Sequence, residues 1–186
     1  MLGLGGVLWS HARGDTSIFR HPSAFDLPTT AGIALALGLG GLLAAATIVS
    51  TRLLVQRARW ARTLHSEFRE LLGPMTRGEI AVFAVSSGVA EEMFFRGAMQ
   101  PSLGIALTSI LFGLIHVPRR RELWPWSAWA GVMGALFGLI VLATGELIGA
   151  IAAHIAINYA NLHYIRRVDA ASLTTRQGRS SETLSS

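Results

Sequence analysis

The chain has 186 residues and is 51% hydrophobic but only 15% charged, against about 25% charged in an ordinary soluble domain. Its mean hydropathy is +0.46. It has no cysteine, which excludes disulfides, thiolate metal sites and thiol nucleophiles. All 16 basic residues are arginine and the formal net charge is +5. These arginines flank apolar blocks, which is a positive-inside pattern rather than a nucleic-acid footprint. No nucleic-acid partner is expected. The lack of lysine suggests a GC-rich bacterial genome.

Residues 1–9 are apolar but too short to span a bilayer, and they lack the basic start and small-residue cleavage site of a signal peptide. A mixed polar stretch covers 11–28. The first span reads as 31–49, uncharged and close to the roughly 20 residues that cross the hydrocarbon core. Across 52–72, Leu53, Trp60, Leu64, Phe68 and Leu71 recur at helical spacing, while Arg57, Arg59, Arg62, Ser66 and Arg69 take the other faces. That pattern predicts an amphipathic helix on an anionic membrane surface. It is ended by Gly73-Pro74.

Four more apolar segments follow: 78–99, 101–117, 124–144 and 146–165, with turns at Gln100-Pro101, at Pro118 with Arg119–Arg121, and at Gly145. The tail 166–186, rich in Ser, Thr and Arg, reads as disordered and cytoplasmic. The predicted fold is all-α: a polytopic transmembrane bundle of about five spans with an interfacial helix. It divides into an extracytoplasmic segment 1–29, a membrane domain 30–165 and the tail. Placing 52–77, 118–123 and the tail inside the cell puts 13 of the 16 arginines there. A bacterial inner-membrane location with a cytoplasmic C-terminus is expected. Gly134 and Gly138, and Gly145 and Gly149, would let helices approach closely.

Charged residues at bilayer depth usually mark function. Glu91 and Glu92 are adjacent inside an apolar run, about 100° apart on a helix. Glu92 and Arg96 are at i, i+4 and can pair, which leaves Glu91 as a free proton acceptor. His154 and Asn158, also at i, i+4 in mid-span, must face the bundle interior. They offer donors of the kind that stabilise an oxyanion. The ion-paired and hydrogen-bonded packing roles of these residues stay open at this point, and His116 alone reads as interfacial. Glu146 reads as interfacial too, and Trp124, Trp126, Trp129 and Tyr164 as an aromatic belt.

Glu91-Glu92-x-x-x-Arg96, Phe112-x-x-x-His116 and His154-x-x-x-Asn158 together resemble the three motifs of the CPBP membrane proteases. That group includes the type II CAAX prenyl endopeptidases and the myxosortases, and the resemblance covers roughly 78–165. It implies a glutamic intramembrane endopeptidase in which Glu91 activates water, His116 orients that water, His154 and Asn158 hold the oxyanion, and Glu92 with Arg96 forms a structural pair. The implied partners are a membrane-associated protein or peptide, cut near its C-terminus, and the lipid bilayer. No cofactor is implied. The alternatives are a zinc site on Glu91, His116 and His154, a non-catalytic immunity or scaffold protein, and a proton-coupled transporter, which the absence of an internal repeat disfavours.

Overall fold

The computed structural model describes residues 1–15 and 17–169. The expected disordered tail therefore falls almost wholly outside the described residues. The elements are α1 (Leu2–Arg13), α2 (Thr29–Arg57), α3 (Arg59–Leu72), α4 (Arg77–Glu92), a π-helical segment (Met93–Met99), α5 (Gln100–Ile115), a 3-10 turn (Arg121–Leu123), α6 (Trp124–Thr144) and α7 (Ile148–Arg167). The only strand-like pairing among the described residues is an isolated bridge between Arg20 and Glu146.

The bundle inverts the rule for a soluble protein. Large apolar side chains face outward, among them Leu42 and Val49 on α2, Val82 and Phe83 on α4, and Ile110 on α5, while Ala36, Gly40, Ala44 and Thr47 line the buried face of α2. An apolar exterior of this size suits lipid. Small residues set the helix approach. A Cβ at Gly149 would collide with the backbone of Ala36, and one at Gly40 with the backbone of Gly149. Helices α2 and α7 therefore pack backbone to backbone.

Three stretches are long and apolar enough to cross a membrane: Thr29–Arg57, Arg77–Ile115 and Arg121–Thr144. The fold is the expected all-α bundle, and the length-and-composition criterion marks these three stretches within it. Helix α7 has the length but carries His154, Asn158, Asn161 and His163, which lower its hydropathy. The 39-residue stretch is not one straight helix. Glu91 and His116 sit 3.9 Å apart, whereas 25 residues of continuous helix would separate them by about 37 Å. The chain reverses at Gly104, whose φ of 75° is left-handed and open to glycine. The expected reversal at Gln100-Pro101 is corrected: proline is accommodated in the first turn of a helix, and α5 begins with that dipeptide.

The expected amphipathic helix 52–72 is also split. Helix α2 continues to Arg57, the backbone turns extended at Ala58, and only α3 is amphipathic, ending at Gly73 with φ 60°. A capping box formed by Thr76 and Glu79 starts α4. One end of the bundle gathers most of the arginines. Arg69 donates to the carbonyls of Ile165 and Arg166, Arg166 to that of Met75, and Arg120 to Glu67.

At the opposite end the N-terminal segment closes the bundle. Gly6 of α1 lies against Met93 and Phe94, and Ile18 wedges against Gly97. Arg13 donates to the carbonyls of Ala98 and Gly97 and to Ser102. It also pairs with Asp15, whose carboxyl it holds below the usual range. Glu146, expected to be interfacial, is buried and accepts from Arg20 Nε at 2.8 Å.

Candidate active site

Glu91 and Glu92 end α4 just before the chain loosens into the π segment, a feature frequent at functional sites. Counted from Gly104, Glu91 lies 13 residues back and His116 12 residues on. The two arms therefore bring them to one depth, about 18–20 Å from the turn. His116 caps the C-terminus of α5. His154 and Asn158 come from α7, with His154 buried.

The geometry has two layers. In the deeper one, Glu92 and Arg96 are both fully buried and paired at 3.1 Å. The same Glu92 oxygen accepts from Nδ1 of His154 at 2.7 Å. Arg96 also sits among aromatic faces, its guanidinium carbon 4.3 Å from the Phe112 ring centre, 5.5 Å from that of Phe137 and 5.7 Å from that of Phe95. Such contacts favour a desolvated cation. Gly134 leaves the room this needs, since a Cβ there would lie 3.0 Å from Arg96 Nη2.

In the upper layer, Glu91 Oε2 is 3.9 Å from Nε2 of both His116 and His154. That oxygen is buried without a hydrogen-bond partner among the described residues. The imidazoles are held from behind. His116 Nδ1 is 2.7 Å from the carbonyl of Phe112, and a carbonyl only accepts, so Nδ1 carries the hydrogen and neutral His116 presents a bare Nε2. The His154 ring stacks on Phe137 at 5.2 Å and meets Phe112 edge-on. Asn158 Nδ2 donates to Ser87 Oγ at 3.0 Å. Ser87, one turn before Glu91 on α4, ties α7 to the helix of the glutamates.

These side chains border a cavity of about 250 Å³ between α2, α3, α4, α5, α6 and α7. Glu91, His116, His154 and Asn158 all line it, as do Trp126 and Trp129. The tryptophans are thus cavity walls and not solely a belt. Phe68 of α3 meets Trp126 edge-on at 5.8 Å, so the amphipathic helix forms part of the wall toward the arginine-rich end. Every candidate residue drawn from the sequence comes together here, with Glu92 and Arg96 behind the other four.

Several contributors escaped the sequence reading: Ser87, Gly134, Phe137 and the aromatic surround of Arg96. The periodicity of Gly134 and Gly138 signalled close packing but not what it makes room for. Among the described residues no group of three or more His, Asp or Glu is arranged to hold a metal ion.

Residues 74–160 match the family model described as type II CAAX prenyl endopeptidase Rce1-like. Over that stretch the chain is similar to this family of membrane proteases. The matched segment contains Glu91, Glu92, Arg96, His116, His154 and Asn158, and leaves out α1, α2 and α3. No curated protein and no solved structure matches the chain. The family sets the activity class as peptide-bond hydrolysis, with a peptide substrate and a bilayer as surroundings.

Proposed function

We propose that the chain is a glutamic intramembrane endopeptidase that cuts a membrane-associated protein near its C-terminus. The supporting observation is the approach of Glu91 Oε2 to both imidazole Nε2 atoms, 3.9 Å each, on the wall of an apolar cavity. Groups at such a separation are within reach of one bridging water. Glu91 and the bare Nε2 of His116 accept the two hydrogens of that water and aim its lone pair at the scissile carbonyl carbon. As the C–O bond forms, one proton passes to Glu91. Asn158, and His154 in its doubly protonated form, donate to the oxyanion, and the Glu92 carboxylate behind Nδ1 balances the imidazolium. When the C–N bond breaks, Glu91 returns its proton to the leaving amine.

The direct test offers N-terminally acylated peptides with varied C-terminal segments to the reconstituted protein, with products read by mass spectrometry in ¹⁸O-water. Cleavage with one heavy oxygen in the new carboxylate is expected. Absence of cleavage across the library would favour a binding or immunity role. Within the reading, C-terminal sorting tails are the preferred substrates, since a bacterium without protein prenylation offers no prenylated one.

Removing one oxyanion donor typically costs about 10²–10³ in rate, so Asn158→Ala should lower kcat by that amount with little change in KM. Ser87→Ala removes the bond that orients the Asn158 amide, worth about 1 kcal/mol, along with the long bond from Ser87 Oγ to the Ala84 carbonyl. A kcat loss of roughly fivefold is expected. Ser87→Ala as damaging as Asn158→Ala would assign Ser87 a direct role.

A zinc reading draws on one feature: each imidazole's Nδ1 is held by an oxygen, as in the outer shell of ligating histidines. The 3.9 Å separations of Glu91 Oε2 from the two Nε2 atoms are wider than the roughly 3.3 Å between neighbouring ligands of a tetrahedral zinc, and no step is routed through a metal. Elemental analysis of the active protein decides. Stoichiometric zinc with activity restored on its return would replace the glutamic mechanism.

The orientation we propose places the arginine-rich end in the cytoplasm of a bacterial cell. Single cysteines introduced at 119–121 should be shielded from an impermeant thiol reagent in intact cells, and ones at 17–25 labelled. The opposite pattern reverses the bundle.

A further inference from the structure

Beside the catalytic cavity lies a second apolar groove, bounded by Leu54, Val55, Trp60, Ala61 and Leu64 and continuous with the first through shared walls at Phe68, Trp126, Trp129 and Asn161. The cation on its wall is Arg52, in the last turns of α2. Its guanidinium is fixed in place: Nη1 donates to Asn161 Oδ1 at 3.0 Å, Nη2 to the carbonyl of Ala160 at 2.7 Å, and its carbon stands 3.9 Å over the Tyr164 ring. Those partners are all neutral, so they orient the charge without cancelling it. A planar, oriented guanidinium suits a carboxylate.

Asn161 follows His154 by seven residues on α7, about 10 Å along the axis. A short extended peptide, at about 3.3–3.6 Å per residue, bridges that distance. We propose that Arg52 binds the C-terminal carboxylate of the peptide substrate, while the apolar groove beside it takes the side chains of the substrate's last residues. The assignment rests on the protease reading and adds to it a recognition residue on α2, outside the family-matched segment. Charge complementarity and continuity with the catalytic cavity select this occupant. Arg52 also tethers α2 to α7 through the same two hydrogen bonds, and the test must separate the two roles.

The probe is an N-terminally acylated, dye-labelled pentapeptide of apolar residues, prepared with a free C-terminal carboxylate and as its carboxamide. Binding is measured to the full chain carrying Glu91→Gln, which prevents turnover, in phosphatidylcholine nanodiscs. The carboxylate form should bind at least about tenfold more tightly than the amide. Adding Arg52→Gln should lower the affinity of the carboxylate form to that of the amide and leave amide binding unchanged. Arg52→Lys, which keeps the charge without the fork, should retain part of the preference and serves if Arg52→Gln does not fold.

Equal affinities in the parent, no binding of either form, or a preference that survives Arg52→Gln would each overturn the assignment. Loss of the preference on adding phosphatidylglycerol to the discs would overturn it in favour of a lipid-headgroup site. Failure of the protease reading is seen separately: the wild-type chain would discriminate carboxylate from amide in binding yet cleave neither.

Discussion

Glu91→Gln is expected to reduce cleavage to background while leaving the folded protein unaltered. The substitution keeps the shape of the side chain but removes the proton acceptor. General-base catalysis contributes typically 10²–10⁴ in rate, and in the proposed mechanism the same group also returns the proton to the leaving amine, so the loss should reach the upper end. The fold should tolerate the change because Glu91 stands 3.9 Å from its imidazole neighbours, outside hydrogen-bonding distance. The ion pair that holds the site belongs to Glu92. Initial rates on a cleaved peptide and thermal unfolding in detergent measure the two halves. Full turnover by Glu91→Gln would remove Glu91 from the mechanism. A large loss of stability with it would make Glu91 a packing residue.

The parts of the site legible in the sequence were those carried by short-range spacing. Glu92 with Arg96 and His154 with Asn158 are i, i+4 pairs, and a helix places such pairs on one face whatever the rest of the fold does. His116 was not legible that way, because its depth depends on where the chain reverses. Sequence punctuation favoured Gln100-Pro101, while the backbone turns at Gly104. Proline restricts only its own φ and the residue before it, whereas the glycine supplies the left-handed conformation a sharp reversal uses. Moving the turn by about one helical turn cancels the apparent mismatch with Glu91.

Other features had no local signal. Nothing in the composition around Ala58 marks the break between α2 and α3. Trp126 and Trp129 read as belt residues because interfacial and cavity-lining aromatics have the same composition, and only the tertiary neighbours Phe68 and Met133 distinguish them. Helix α1 left a weak trace in the small residues Gly3 and Gly6, which lie against Ala90 and Met93 directly behind the glutamates. Its shortness masked that role. A 12-residue helix fails any spanning criterion yet still covers the π segment from outside.

The largest expected change in stability follows from Arg96→Ala. Arg96 and Glu92 are both without exposure to solvent, and breaking a buried pair by removing one partner typically costs about 3–5 kcal/mol, because a charge is left stranded. The aromatic faces of Phe95, Phe112 and Phe137 would lose their cation, and a void would open beside Gly134. The loss should appear as lower folded yield and an earlier transition in thermal or denaturant unfolding of the purified protein. Gly134→Ala should act in the same direction with a smaller effect, since its new methyl meets the end of the Arg96 side chain at 3.0 Å.

A double replacement separates charge from architecture. Glu92→Gln with Arg96→Met leaves no stranded ion, and apolar or neutral replacements of a buried pair are often close to neutral in stability. This variant should therefore regain much of what Arg96→Ala loses. It should nonetheless stay nearly inactive, because His154 loses the carboxylate that accepts from Nδ1 at 2.7 Å and that, in the proposed mechanism, balances its charge when it donates to the oxyanion. Unchanged stability in Arg96→Ala would mean that the pair adds nothing to the fold. Recovered activity in the double variant would mean that Glu92 serves Arg96 alone and plays no part in orienting His154.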